Sequence, residues 1–198
     1  MDSVISLTGR DFVMSVADVT AARSIVVMKD TQDKVVELDR HRTLSVAGEI
    51  GDAIQFTEYI QRNVHLYELR SGTPLSTRQI AYFLRGELAR FLRQHPYQVN
   101  LILGGYDADG GPSLYYVDYL GSLHRMPFTA QGYCAYFILS TLDRLYRPGM
   151  TLDEAVSVMH QCLAEVGERF LLQQRKFVWK VTDRDGTRTL PQSADTFM

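Results

Sequence analysis

The 198-residue chain has no stretch approaching the roughly 20 uninterrupted apolar residues of a membrane-spanning helix. It opens Met1-Asp2-Ser3, without the basic segment that begins a secretory signal. Excess positive charge is also missing: 21 Lys and Arg stand against 23 Asp and Glu, a formal net charge of −2. That balance gives no long-range pull toward nucleic acid or an anionic membrane, so neither is expected as a partner. The densest basic run, Arg40-His41-Arg42, follows Asp39 and reads as a solvated turn. Cysteine is scarce. Cys134 and Cys162 sit among apolar neighbours in helix-like segments and are expected as buried free thiols, which fits a reducing compartment.

Motifs for common chemistries are lacking too. There is no Gly-x-Ser-x-Gly elbow, phosphate-binding loop, Gly-x-Gly-x-x-Gly or Cys-x-x-Cys. The histidines at 41, 65, 95, 124 and 160 show no i, i+4 pair, so no metal site and no cofactor is expected. Gly104-Gly105 within a strand reads as a bulge or a close backbone approach. Asp107 and Asp109, like Asp183 and Asp185, suit turns through side-chain bonds to the backbone.

What is present is a regular alternation of blocks. Val4–Thr8 and Phe12–Ala17 read as strands parted by Gly9-Arg10-Asp11, followed by strands over Ser24–Met28, Lys34–Leu38 and Thr43–Ala47. From Gly48 the period becomes helical, with Ile50, Ile54, Ile60, Val64 and Tyr67 on a stripe that Ser71-Gly72 ends. A second helix opens at Ser76-Thr77-Arg78-Gln79, of capping-box form, carries Ile80, Leu84 and Leu88, and stops by His95-Pro96. Strands return over Gln98–Leu103, Leu114–Tyr119 and Leu123–Met126. Two helices follow, Tyr133–Tyr146 and one capped by Thr151-Leu152-Asp153-Glu154 with Ala155, Val158, Met159, Cys162 and Val166 inward. Lys176–Thr182 is the last expected strand. Strand blocks separated by helix pairs argue against a doubly wound parallel sheet and for two antiparallel sheets covered by helices. No linker divides the chain, so residues 1–198 are expected to form one domain.

Several segments in order resemble the β-subunit family of the 20S proteasome. They are Ser45–Asp52 (SVAGEIGD), Leu66–Arg70 (LYELR), Tyr97–Asp107 (YQVNLILGGYD), Leu114–Gly121 (LYYVDYLG) and Asp143–Thr151 (DRLYRPGMT). Within the family the similarity is greatest to the non-catalytic fourth position of the β ring. The resemblance implies an α+β fold: a four-layer αββα sandwich of the N-terminal-nucleophile hydrolase type. Active members expose an N-terminal threonine whose hydroxyl attacks the peptide carbonyl, aided by its own amine and by a lysine and an aspartate.

Carried over by position, that aspartate falls on Asp18, the lysine on Lys34 and the glycine whose N–H would hold the oxyanion on Gly48. The nucleophile position falls on Asp2. A carboxylate there has no hydroxyl with which to attack an amide, and the first threonine, Thr8, lies within a strand and has no free amine. A supporting serine falls near Ala135, and a later aspartate and serine fall near Arg169 and Leu172. The expectation is therefore a vestigial site in a non-catalytic structural subunit, without a long cleaved propeptide. Asp18 and Lys34 would then serve as a structural ion pair.

The resemblance further implies partners and place: other β subunits in the same and the opposed ring, α subunits above, and residence in cytoplasm and nucleus. The Tyr106–Tyr119 segment and the Pro191–Met198 tail are the expected contact regions. The alternative is an active threonine protease subunit, which would need a mature chain that begins at its nucleophile.

Overall fold

The structure is a computed structural model and describes residues 2–23, 26–170, 174 and 176–191. Its strands are β1 (Ser3–Thr8), β2 (Phe12–Asp18), β3 (Ala21–Arg23), β4 (Val26–Lys29), β5 (Val35–Asp39) and β6 (Arg42–Gly48). Helices α1 (Ile50–Ser71) and α2 (Thr77–Phe91) precede β7 (Val99–Asp107), β8 (Gly111–Val117), β9 (Leu123–Arg125) and β10 (Phe128–Gly132). Helices α3 (Ala135–Leu145) and α4 (Leu152–Arg169) then lead to β11 (Phe177–Asp183) and β12 (Gly186–Leu190).

Two five-stranded antiparallel sheets form the centre, in the orders β10-β1-β2-β11-β12 and β5-β6-β7-β8-β9. Alternation along each strand decides what each face meets. Ile5, Leu7, Met14 and Val16 pack with Ile138, Leu142, Met159 and Val166 of α3 and α4. On the other sheet Leu44, Val46, Leu101 and Leu103 pack with Phe56, Ile60, Ile80 and Leu84 of α1 and α2. Val4, Val13, Ala17, Val35, Ala47, Ile102 and Leu114 meet between the sheets. The order of layers is helices, sheet, sheet, helices, which is the expected αββα sandwich.

Beside Gly104 the two sheets approach closely. A Cβ on Gly104 would stand 2.7 Å from Val13 Cγ1 of the other sheet, and one on Gly105, on the opposite face, would stand 2.4 Å from Thr77 Oγ1 of α2. This is the close approach expected of the Gly104-Gly105 pair. Lys180 of β11 crosses between the sheets, donating to the Val35 carbonyl at 2.6 Å and pairing with Asp33 at 2.7 Å. Asp107 ends β7 and anchors α2: it pairs with Arg42 at 2.6 Å and accepts the Thr77 N–H at 3.1 Å. It therefore serves the fold, but its carboxylate binds Arg42 and the start of α2 rather than the backbone of its own turn, which the turn reading expected.

The capping boxes at Ser76 and Thr151 are both formed, and Gly72 ends α1 in the left-handed region at φ 70°. The inward stripe of α4 is buried as read, but that of α1 is shifted. Phe56, Thr57, Ile60 and Val64 are buried, whereas Ile54 and Tyr67 stand on the exposed side. Helix α2 ends at Phe91, and a turn rather than a helix carries the chain toward Pro96. Strands β3, β10 and β12 were not expected from the sequence. Strand β3 (AAR) has no β-branched or aromatic side chain, and in β10 (FTAQG) and β12 (GTRTL) the two that each contains stand among glycine and polar residues, so the strand signal is weak. Of the strand expected over Ser24–Met28, residues 26–28 belong to β4, and 24 and 25 lie outside the described residues.

Candidate functional site

Asp2 precedes β1, Asp18 ends the neighbouring β2, Lys34 precedes β5, and Gly48 ends β6. The first two belong to one sheet and the last two to the other, so the site lies at one end of the seam between them. All four predicted residues are brought together there.

Lys34 is the hub. Its side chain is 6% exposed, and its Nζ lies 2.8 Å from Asp2 Oδ1, 2.8 Å from Asp18 Oδ1 and 2.9 Å from the Thr20 carbonyl oxygen. An ammonium has three protons, and these three acceptors use them all. Asp18 is fully buried and also accepts the Ser3 N–H at 2.8 Å and the Thr20 N–H at 3.1 Å. Burial pushes the Asp18 carboxyl above its usual value and the Asp2 charge adds to the rise, while Lys34 and the Ser3 N–H pull it back. Two carboxylates thus share one ammonium.

The second oxygen of Asp2 accepts the Gly48 N–H at 3.0 Å. Gly48 has φ 151°, and a Cβ there would stand 2.1 Å from the Gln98 carbonyl oxygen, so a side chain is excluded. The Asp2 backbone is held from the other side. Tyr133 N–H donates to the Asp2 carbonyl at 3.2 Å, and Gly132, at φ 82°, approaches so closely that a Cβ would lie 1.9 Å from that oxygen. Thr20, Ser3 and Gly132 were not singled out from the sequence. The first two contribute backbone groups, which any residue type carries, and only the glycine could have been noticed.

None of the supports expected to be replaced is among the hydrogen-bond partners of Asp2, Asp18, Lys34 and Gly48 given above. Ala135 is the first residue of α3 and carries no hydroxyl. Arg169 pairs with Glu165 at 2.9 Å and its guanidinium lies 5.3 Å from the centre of the Phe137 ring, on the α3–α4 surface. Leu172 lies outside the described residues. Thr8, at the far end of β1, donates its hydroxyl to the Pro127 carbonyl at 2.9 Å.

Beside the hub is a cavity of about 240 Å³, reached by Asp2, Lys34 and Gly48 and walled by Val46, Ala53 and Ile54 among others.

A family model described as proteasome subunit matches residues 2–181. The chain belongs to the proteasome subunit family. It is 46% identical over 196 residues to proteasome subunit beta type-2 of Oryza sativa subsp. japonica, covering 99% of this chain and 92% of that one. The beta type-2 subunit of Dictyostelium discoideum is 45% identical over 197 residues, with 98% and 99% covered. Beta type-4 of Saccharomyces cerevisiae is 39% identical over 190 residues, with 95% and 96% covered. The likeness to β-type proteasome subunits agrees with the α+β sandwich of N-terminal-nucleophile hydrolase type described above, and it implies protein degradation through assembly with other proteasome subunits.

Proposed function

We propose that this chain is a non-catalytic structural β subunit of the 20S proteasome core particle, occupying one position of a heteroheptameric β ring. The observation that carries the reading is the pairing of Asp2 with Lys34 and Gly48. The ammonium and the N–H that would manage a nucleophile and an oxyanion are both committed to a carboxylate of the chain itself. A carboxylate so engaged offers neither a hydroxyl to attack with nor an open donor for a peptide oxygen.

Its role is then positional. A heterologous ring needs two different complementary side surfaces on each subunit. The partners are neighbouring β subunits, an α subunit above and a β subunit of the opposed ring, in particles of cytoplasm and nucleus that degrade ubiquitin-marked proteins at the expense of ATP. Exposed apolar side chains suited to such contacts are Val26, Val27 and Met28 on β4 and Tyr133 and Tyr136 near α3. The Tyr106–Tyr119 segment is a poorer candidate than its tyrosine content suggests. Tyr115 is buried in the α2-side core, and the outward part is its end, Tyr119, with the adjacent Leu120. Of the Pro191–Met198 tail, residues 192–198 lie outside the described residues.

The test is Lys34→Ala in the assembled particle. As a scaffold, the variant lowers the yield of particles but leaves every peptidase activity per particle unchanged. Selective loss of one cleavage activity per particle would establish the competing reading, an active threonine protease subunit.

A further inference from the structure

The Asp2 carboxylate bridges two donors aimed at one place. Oδ1 lies 2.8 Å from Lys34 Nζ and Oδ2 accepts the Gly48 N–H at 3.0 Å. Both donors are set by the surrounding fold rather than by Asp2. Lys34 is fixed by Asp18 and the Thr20 carbonyl, and Gly48 by its place in β6 against Gln98 and Val99 of the neighbouring chain segment. Take Asp2 away and one ammonium proton and one backbone N–H are left without acceptors at the mouth of the 240 Å³ cavity. Two convergent donors, one of them charged, bond an anion more strongly than they bond water, so such a site draws in an anion of the shape that left it.

We propose that Lys34 and Gly48 form an anion site for a small carboxylate, and that the Asp2 side chain is its built-in occupant, a plug that keeps the site closed to acyl and carboxylate groups from solution. The side chain of Asp2 is 19% exposed and lines the cavity, so its removal opens a path from solvent. The inference rests on the reading above in one respect only: Asp2 must be retained ahead of β1.

The test uses Asp2→Ala in the full chain, with sodium acetate as probe, titrated against sodium chloride at constant ionic strength. In chloride the variant melts below the unsubstituted chain. Acetate raises its melting temperature saturably, by about 2–4 °C, and leaves the unsubstituted chain unmoved. Adding Lys34→Met to Asp2→Ala abolishes the response. Asp2→Asn, whose amide oxygen still fills the site, shows none. Should Asp2→Ala not fold, Asp2→Gly makes the same comparison, with acetate-dependent recovery of folded protein as the readout. Equal acetate effects on the plugged and unplugged chains, or an undiminished response without Lys34, overturn the proposal. The intact mass of the same samples reports separately on the reading it rests on. Loss of residue 2 sinks the structural-subunit reading, whereas a retained residue 2 with no acetate response sinks the plug alone.

Discussion

The Gly48 N–H donates to Asp2 Oδ2 across 3.0 Å, joining the residue ahead of β1 in one sheet to the last residue of β6 in the other. With Lys34 on the other oxygen, this bond forms a clasp between the two sheets.

Breaking the clasp at its hub has a definite cost. Lys34→Met leaves Asp18, which is fully buried, without its counter-ion, and is expected to destabilise the chain by about 3–5 kcal/mol. Denaturant unfolding measures it. Because the residues act as one unit, adding Asp18→Asn should recover part of the loss, with a coupling of roughly 0.5–3 kcal/mol. Purely additive losses would mean that the pair is not the unit described.

Gly48 and Gly72 both have positive φ but differ in surroundings. Nothing stands within 4 Å of a Cβ on Gly72, whereas one on Gly48 meets the Gln98 carbonyl oxygen at 2.1 Å. Gly72→Ala is therefore expected to cost only about 1–2 kcal/mol, from backbone strain. Gly48→Ala should cost roughly 3 kcal/mol or more, because the backbone must move. Equal unfolding midpoints for the two variants would contradict this account.

Much of this was legible in the sequence, for identifiable reasons. Capping boxes at Ser76 and Thr151 and the glycine at 72 are local signals, and the helices begin or end on them. The α1 stripe was misassigned because Ile54 and Tyr67 are apolar yet exposed, and periodicity counts them as inward. The polar strand β12 (GTRTL) carries little strand signal of its own, and it is the Asp183–Gly186 turn, a local hairpin signal, that returns the chain to pair with β11. At the site, Asp2, Asp18, Lys34 and Gly48 were found through family resemblance alone. Nothing in their spacing announces that residues 2 and 48 meet, nor that Gly132 must be bare for Asp2 to sit where it does.

The two buried thiols give a pH dependence. Burial pushes Cys134 up to about 11 and Cys162 up to about 12. In the unfolded chain both ionise near the ordinary value of about 8.5. The folded state therefore holds protons that the unfolded state releases. The thiols' contribution to stability is constant below about pH 8 and is lost as pH rises from there toward the folded values. Unfolding midpoints between pH 7 and 10 should decline, and replacing both cysteines with alanine should flatten the decline. A thiol reagent at pH 8 should modify neither cysteine until the chain unfolds.

The exposed apolar strand β4 separates folding from assembly. Val27 is 55% exposed, so Val27→Glu should change the stability of the chain by no more than about 0.5 kcal/mol. As a subunit contact it should nonetheless reduce incorporation into particles, read by native mass spectrometry. Full incorporation would remove β4 from the assembly surface.

The central claim is that a retained carboxylate occupies the place of a nucleophile. The most direct measurement is the intact mass and N-terminal sequence of the chain recovered from assembled particles. The account predicts a chain that still carries Asp2, with or without Met1. A mature chain that begins instead at a threonine, serine or cysteine would contradict it.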